Sequence, residues 1–228
     1  MEQLSILYQD DFLVAINKPP GLLVHRSRIA RDATEFAVQL LRDQLGQRVY
    51  PVHRLDRKTS GVLLFACDEA TNVSMQKQFA EGTVYKRYLA VVRGFTDDSF
   101  EIDYALRNDD TGIVQEAFTR GHTLKRTEIP IPLGTHPTSR YSLVELTPTT
   151  GRMHQLRKHM AHVFHPIIGD RPHGCNKQNR FFKAHFGLFE MLLHAQELGF
   201  LHPVSGKEVK ILAPLLSEFQ RMQEELGL

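Results

Sequence analysis

The stretch 53–61, HRLDRKTSG, contains residue types suited to chemistry on a charged substrate, and it leads into the apolar segment 62–66. In an extended backbone, Arg54 and Asp56 share one face while Leu55 points the opposite way. The carboxylate then lies among three cationic side chains, those of Arg54, Arg57 and Lys58. Neighbouring positive charges favour its ionised form, which can act as a nucleophile or base on a polyanion. The alternative is a turn whose surface ion pairs contribute under about 1 kcal/mol each.

Positive charge is concentrated in residues 151–183. Seven cations lie there against a single acid, Asp170: Arg152, Arg157, Lys158, Arg171, Lys177, Arg180 and Lys183. This stretch carries +6, and because the whole chain carries +2, the remaining residues sum to −4. A basic segment on a mildly acidic body is typical of a protein that docks a polyanion on one side. A solvated basic face without a partner is the alternative.

Residues 151–165 also have helical spacing. Their apolar members form one stripe at about 100 degrees per residue: Met153, Leu156, Met160, Val163 and Phe164. On this wheel Arg157 falls at the edge of the stripe, whereas Lys158 points nearly opposite and is expected in water. Because an unpaired buried charge is costly, a half-buried Arg157 needs a carboxylate or phosphate partner.

Periodicity and turn residues predict the elements that position these side chains. Residues 4–17 read as an opening hairpin with its turn at Asp10-Asp11. The following KPPG, 18–21, forms a rigid corner, because proline fixes φ and glycine permits a positive φ. Amphipathic spacing predicts four helices, over 34–45, 70–80, 151–165 and 214–226. Residues 85–92 have strand composition, which puts Tyr88, Ala90 and Val92 on one face.

Length and composition favour a single domain over residues 1–228. A chain of this length can bury one sizeable core, and no linker, repeat or low-complexity tract divides it. The longest apolar runs are too short to cross a bilayer. The first residues, Met1-Glu2-Gln3, lack the basic and apolar regions of a signal peptide. We therefore expect a cytoplasmic protein without membrane association.

The motif at 53–61 resembles the HRLDxxTSG signature of the RluA-type pseudouridine synthases. Four further stretches match the same family in the same order: 17–22 (NKPPGL), 86–94 (KRYLAVVRG), 150–157 (TGRMHQLR) and 165–170 (HPIIGD). The resemblance implies that Asp56 is the catalytic residue, that Tyr88 is the active-site tyrosine and that Arg157 pairs with Asp56. It also implies candidate RNA-binding or supporting residues: Arg54, Lys18, Arg152, His154, Arg57 and Lys58.

The activity implied is isomerisation of a uridine in RNA, which needs no cofactor. The N1–C1′ glycosidic bond is broken, the base turns, and it is rejoined through C5. Asp56 would act near the ribose and Tyr88 would handle a proton or stack on the displaced base. A core tyrosine is the alternative for Tyr88. Extruding a base costs a few kcal/mol, which phosphate contacts and stacking must offset.

The same resemblance implies the fold class: α+β, with a mostly antiparallel bent sheet, flanking helices and an active-site cleft across the sheet. The last third is similar to the tRNA pseudouridine synthase C branch, in 169–174 (GDRPHG), 178–180 (QNR) and 185–195 (HFGLFEMLLHA). That branch acts on a uridine in the acceptor-side stem region of tRNA. The chain begins almost at the first catalytic strand, so we expect no separate N-terminal S4-like domain. RNA is the expected partner, and no obligate protein partner is implied.

Other functions compete with this interpretation. Ribosomal RNA is the rival substrate, and a non-catalytic RNA-binding protein on the same fold is the rival of another class. A metal-dependent hydrolase could use the four histidines of one segment: His154, His159, His162 and His165. Their spacing lacks the paired-ligand pattern and nearby carboxylates that zinc requires, so we expect solvated or RNA-facing histidines and no metal. Cys67 and Cys175 are expected to be buried, free thiols.

Overall fold

The computed structural model describes residues 3–25, 35–133 and 136–228, and these form an α+β fold as expected. The strands are β1 (Ile6–Gln9), β2 (Leu13–Lys18), β3 (Tyr50–Pro51), β4 (Ser60–Ala66), β5 (Tyr85–Arg93), β6 (Ser99–Asp103), β7 (Leu106–Arg107), β8 (Val114–Gln115), β9 (Phe118–Ile129), β10 (Ser139–Pro148), β11 (Leu193–Leu201) and β12 (Glu208–Leu212). The helices are α1 (Ala37–Leu45), α2 (Glu69–Glu81), α3 (Gln155–His162), α4 (Asn176–Phe186) and α5 (Ser217–Leu226).

The chain divides into two compact units. The first comprises Met1–Lys86 and Ala195–Pro214, and the second comprises Arg87–His194 and Leu215–Leu228. Each unit has its own buried apolar cluster. The expected single catalytic domain over residues 1–228 stays a prediction.

The first unit is built on two strands whose side chains are all buried. β2 and β4 consist of almost continuous apolar residues, which is typical of strands covered on both faces. Their order is β1-β2-β4-β11, with β12 beside β11 and β3 beside β4. The pairs β1/β2, β2/β4 and β11/β12 are antiparallel, so the predicted opening hairpin is confirmed. The β2/β4 register sets Lys18 opposite Gly61, and the corner after β2 therefore lies beside the end of the HRLDRKTSG motif.

The second unit contains the strand order β5-β10-β9-β6, with antiparallel pairing throughout these strands. Alternate residues of β5 enter two apolar clusters, as period-two geometry requires. Leu89 and Val91 pack in the cluster that contains Phe182 of α4 and Phe219 of α5. The other cluster, on the opposite face, receives Leu156 and Met160 of α3 together with Ala90 and Val92, and Tyr88 packs against it. The predicted common face of Tyr88, Ala90 and Val92 is thus confirmed.

The helices differ from prediction in number and length. α2 closely matches the predicted 70–80, and the Asp68 side chain caps it by accepting from the Thr71 N–H at 2.8 Å. α1 begins at Ala37, and the predicted start at Thr34 lies outside the described residues. α3 is much shorter than the predicted 151–165, while α4 was not predicted at all.

Two further expectations concern the cysteines and membrane-spanning segments. Cys67 and Cys175 are both free, as expected, but they are half-buried instead of buried. Among the helices of the described residues, none combines the length and apolarity needed to span a bilayer.

Candidate active-site residues

The HRLDRKTSG loop of the first unit turns sharply at Asp56. The Thr59 N–H donates to the Asp56 carbonyl at 3.0 Å, which closes a four-residue turn. Leu55 is buried, at 6% exposure, whereas Asp56 is half-buried and Arg54 is exposed. The loop thus follows the predicted alternation: Leu55 is buried in the core, whereas Asp56 is partly exposed.

The Lys18–Gly21 corner holds this loop through backbone contacts. The Gly21 N–H donates to the Arg57 carbonyl at 2.7 Å, and Arg57 Nε donates back to the Gly21 carbonyl at 3.0 Å. Gly21 has φ +89, a conformation that only glycine adopts readily, as the KPPG pattern predicted. The carbonyl of the residue after Asp56 is therefore fixed by a turn on another segment.

Lys18 is completely buried, at 0% exposure. Its Nζ donates to three carbonyls, those of Pro19 at 2.8 Å, Leu22 at 2.9 Å and Arg57 at 3.1 Å. Burial lowers the pKa of this ammonium to about 7, although the negative charge of Asp56 opposes the shift. All three N–H groups are used inside the protein, so the geometry gives Lys18 a loop-supporting role. The predicted contact of Lys18 with an RNA phosphate stays a prediction.

His53, the first residue of the motif, supports the start of the loop. Its Nε2 accepts a hydrogen bond from the Leu64 N–H at 3.1 Å, and its ring stacks on Phe79 with a centroid distance of 4.8 Å. Burial, followed by the positive charge of Lys86, lowers the pKa of His53 to about 4. The imidazole is therefore neutral and acts as an acceptor near pH 7. The motif alone did not predict this role.

Within the second unit, Arg157 is clamped by Asp170. Its Nε and Nη2 each lie 2.8 Å from a different carboxylate oxygen, and the exposed fractions are 6% for Arg157 and 1% for Asp170. The expectation that a buried Arg157 needs an anionic partner is confirmed, and Asp170 is one such partner. The predicted pairing with Asp56, a residue of the first unit, stays a prediction.

The chain brings Asp170 to Arg157 by running along β5. The Ile168 N–H donates to the Val91 carbonyl at 3.0 Å, and the Arg93 N–H donates to the Pro166 carbonyl at 3.1 Å. Asn179 of α4 then fixes the next turn, because its side-chain amide donates to the Asp170 carbonyl at 2.6 Å. Residues of the HPIIGD stretch are thus positioned by β5, the strand that carries Tyr88.

The TGRMHQLR stretch is held to β9 by a glutamine that sequence reasoning missed. Gln155 is buried; its Oε1 accepts from the Arg152 N–H at 3.0 Å, and its Nε2 donates to the Phe118 carbonyl at 3.0 Å. Arg152 itself is half-buried and donates from Nε to the Glu116 carbonyl at 2.9 Å. Its predicted contact with RNA stays a prediction.

His154 precedes α3 in a left-handed conformation, with φ 58. Its Nδ1 lies 2.9 Å from Nε2 of His173, so one ring donates to the other. Burial lowers the pKa of His173, and the nearby carboxylate of Asp170 only partly opposes this shift. The pair is accessible on one side, because both rings are half-buried.

Comparison with known proteins identifies the family. Residues 12–162, more than half of the chain, match the family described as RNA pseudouridylate synthase. The chain belongs to this family. A relative from Haemophilus influenzae named tRNA pseudouridine synthase C is 47% identical over 234 residues, which is 98% of each chain. Relatives of the same name from Pasteurella multocida (48%, over 92% of this chain and 90% of the relative) and Vibrio cholerae (44%, over 98% and 96%) are similar.

Solved structures agree with this assignment. The synthase fold matches the human RNA Pseudouridylate Synthase Domain Containing 1 structure with a TM-score of 0.75 at 25% identity, over 99% of this chain and 95% of that chain. The human Domain Containing 4 structure matches with a TM-score of 0.74, also at 25% identity, over 98% and 93%. The RluA-type resemblance and the α+β fold class inferred from the sequence are thereby confirmed.

The histidines of the synthase's α3 segment do not all face solvent, which corrects one expectation. His159 is fully buried, with Nδ1 2.9 Å from Thr119 Oγ1 and Nε2 3.0 Å from the Tyr104 carbonyl. His162 stacks on the Tyr104 ring at 3.6 Å. The hydrogen bond to Thr119 thus holds the His159 ring against β9. Within the described residues, no group of three or more His, Cys, Asp or Glu side chains could hold a metal ion.

Lys158 and Phe164 also depart from the helical-wheel expectation. Lys158 does not extend into water: its Nζ donates to the Arg107 carbonyl at 2.9 Å and to an Asp109 oxygen at 2.8 Å. Phe164, predicted on the buried stripe, is 79% exposed. α3 ends at His162 and Phe164 has φ 64, so the chain has left the helix before the stripe is complete.

Proposed function

We propose that this synthase converts a uridine of tRNA to pseudouridine, in the acceptor-side stem region and in the cytoplasm. The observation that carries the proposal is its likeness, at 44% to 48% identity over more than nine-tenths of the chain, to relatives named tRNA pseudouridine synthase C. The family and the fold restrict the reaction to RNA pseudouridylation, and the names of these relatives support tRNA as the substrate. RNA is the only partner that the proposal requires.

In this proposal Asp56 acts at the ribose of the target nucleotide. The carboxylate is half-buried, while its neighbour Leu55 is buried and the turn to Thr59 fixes its backbone. A residue held on a rigid turn keeps its orientation as substrate enters. Less entropy is then lost in aligning it with the reacting atoms. The adjacent cations of the motif serve the phosphates, because Arg54 and Arg57 are exposed and Lys58 is half-buried.

Tyr88 and Arg157 complete the proposed catalytic set. Tyr88 is half-buried on β5, so one part of the ring packs against the core while another part is accessible for stacking or proton transfer. Arg157 is held rigid by Asp170, and its predicted pairing with Asp56 belongs to the proposal. His154 and Arg152 are proposed to contact the nucleotide from the loop before α3.

The test is release of tritium from C5-tritiated uridine in bulk tRNA and, separately, in ribosomal RNA. We expect release from tRNA that vanishes in Asp56→Asn, with RNA affinity and the free energy of unfolding nearly unchanged. Asp97→Asn, which removes an exposed carboxylate, is the matched control and should retain the full rate. Tyr88→Phe keeps the ring and removes the hydroxyl, so it separates stacking from proton transfer.

The outcomes discriminate among the alternatives. Release from ribosomal RNA alone would keep the enzyme activity and refute the tRNA substrate. A normal rate in Asp56→Asn would refute the assignment of the catalytic residue. No release from either RNA would favour a binding protein on the same fold.

A further inference from the structure

The seven cations of residues 151–183 separate into two groups in the structure. Three are bound by protein oxygens: Arg152, Arg157 and Lys158. The other four are exposed: Arg171, Lys177, Arg180 and Lys183. Among the residues that the structure describes, none of these four forms an ion pair with a carboxylate. Their charge is not used to hold the fold together, so it is available to a partner.

Three of the four exposed cations lie on one side of α4. Lys177, Arg180 and Lys183 are spaced three residues apart, so they follow one another along one face over about 9 Å. The opposite face carries Phe182, at 1% exposure, into the apolar cluster of α5. Residues 171–189 contain no Asp or Glu, so no acid in this stretch offsets the row of cations. A basic row on a helix is complementary to a sugar-phosphate backbone.

An exposed aromatic ring lies beside this row. Phe189 is 67% exposed, and Lys183 Nζ lies 5.0 Å from the centroid of its ring. Cations interleaved with accessible aromatic rings are typical of surfaces that bind nucleic acid, where phosphates meet the cations and bases stack on the rings.

A second exposed aromatic residue, Phe164, has a backbone conformation that is unfavourable for phenylalanine. It follows the end of α3 and has φ 64. The next N–H, that of His165, donates to the Met160 carbonyl at 2.8 Å. In helix ends with this hydrogen bond, glycine usually occupies the position that Phe164 has here. A bulky side chain in the left-handed region is strained, and this one is also 79% exposed. Neither packing nor backbone geometry accounts for a phenylalanine here, whereas a ligand that stacks on its ring would.

Arg93 connects Phe164 with α4. The ring nitrogen Nδ1 of His165, the residue after Phe164, donates to the Arg93 carbonyl at 2.8 Å. The Arg93 guanidinium in turn lies 3.9 Å from Sγ of Cys175, the residue before α4. Arg93 is itself exposed. Arg93 therefore contacts both the residue that follows Phe164 and the residue that precedes α4.

We propose that these exposed side chains, together called the α4 surface, bind the substrate RNA outside the target nucleotide. It consists of Arg93, Phe164, Lys177, Arg180, Lys183 and Phe189. The cations contact backbone phosphates and the two rings contact unpaired bases or exposed ends of base pairs. The inference rests on the proposed tRNA substrate, and it adds a docking surface outside the candidate catalytic and RNA-binding residues predicted from the sequence.

The first arm of the test neutralises the basic row. Lys177→Gln/Arg180→Gln/Lys183→Gln should lower the slope of log affinity against log salt by about 2 to 3, since each lost phosphate contact removes about 0.7 to 0.9. We expect KM for tRNA to rise about tenfold at about 0.1 M salt, with kcat within about twofold. The control is Lys77→Gln/Lys125→Gln/Lys207→Gln, which removes the same charge from exposed positions elsewhere and should change the slope by less than one.

The second arm uses Phe164→Gly, which relieves the left-handed backbone. A purely structural role predicts equal or higher thermal stability and unchanged binding. The proposal predicts equal or higher stability together with an affinity for tRNA about fivefold weaker or more, because a stacked base is lost. Weaker binding by a protein that is no less stable cannot arise from misfolding.

The outcomes separate this surface from the function on which it rests. If the wild-type protein releases no tritium from any RNA, the proposed function fails. If it is active on tRNA but the α4 triple variant has the slope and KM of the control variant, the α4 surface is refuted. If Phe164→Gly binds tRNA as tightly as wild type, Phe164 is not part of the surface.

Discussion

Asp170→Asn is expected to lower the free energy of unfolding by about 3 to 5 kcal/mol, because it removes the bidentate carboxylate from a buried guanidinium. Arg157 is 6% exposed and Asp170 is 1% exposed, so water cannot replace the lost contacts. Both hydrogen bonds are 2.8 Å long, and the same carboxylate also accepts the His173 N–H at 3.3 Å. For a chain of this length the change corresponds to a loss of roughly 6 to 20 °C in Tm.

The assay is urea unfolding of the wild type, Asp170→Asn and the double variant Arg157→Leu/Asp170→Leu. Replacing both charges with apolar groups is often neutral, so the double variant should be more stable than Asp170→Asn. The exposed pair Arg120–Glu101, whose side chains are 65% and 60% exposed, provides the control: Glu101→Gln should cost under about 1 kcal/mol.

A second readout separates stability from catalysis. The double variant regains stability but lacks the Arg157 guanidinium, so it should release no tritium from C5-labelled tRNA. If Asp170→Asn loses less than about 1 kcal/mol, the buried pair does not behave as its geometry requires and the reasoning fails. If the double variant is active, Arg157 has no role in the reaction.

Lys18 should make stability depend on pH. The pKa of its ammonium is lowered by burial from 10.5 to about 7 in the folded protein, so between these values the unfolded chain binds the proton and the folded chain does not. The free energy of unfolding should therefore rise from pH 7 towards pH 10.5, by about 1.4 kcal/mol per pH unit for one proton. Lys18→Met should abolish this slope in urea titrations. An equal slope in the variant would show that Lys18 is not the group that titrates. Gly61→Ala should cost well over 2 kcal/mol, because φ is +108 and the new Cβ would lie 2.2 Å from the Ala195 carbonyl oxygen. Gly46→Ala, at φ +67 with nothing within 4 Å, should cost only about 1 kcal/mol and is the control.

Local sequence patterns were sufficient to predict those helices and strands whose signals lie within the element itself. β2 and β4 are continuous apolar runs and α2 has an aspartate cap and a glycine end, so both kinds of signal lie within the element itself. α4 ends at a left-handed glycine, Gly187, but its start carries no such signal: Cys175 provides no side-chain cap, and the first residues are Asn, Lys and Gln. Its helical character depends on packing Phe182 against α5 and β10, and no property of the local sequence indicates that contact.

In the candidate site, too, features set by neighbouring residues could be predicted and features set by distant segments could not. Helical spacing correctly predicted that Arg157 is buried and needs an anion, because both conclusions follow from the position of one residue on one helix. The identity of Asp170 could not be predicted in this way. It reaches Arg157 only because Pro166–Ile168 pair with β5, which is a contact between segments more than 70 residues apart.

Lys18 illustrates why counting cations along a chain overstates the charge that faces a substrate. Its Nζ donates to three carbonyls, those of Pro19, Leu22 and Arg57, and so supports the loop of Asp56. Arg157 is bound in a comparable way by Asp170. Lys18 is thus bound to backbone carbonyls beside Asp56, and Arg157 is bound to a buried carboxylate. Exposed cations such as Arg180, which forms no ion pair among the described residues, keep their charge for RNA, and this makes α4 a candidate for the docking surface.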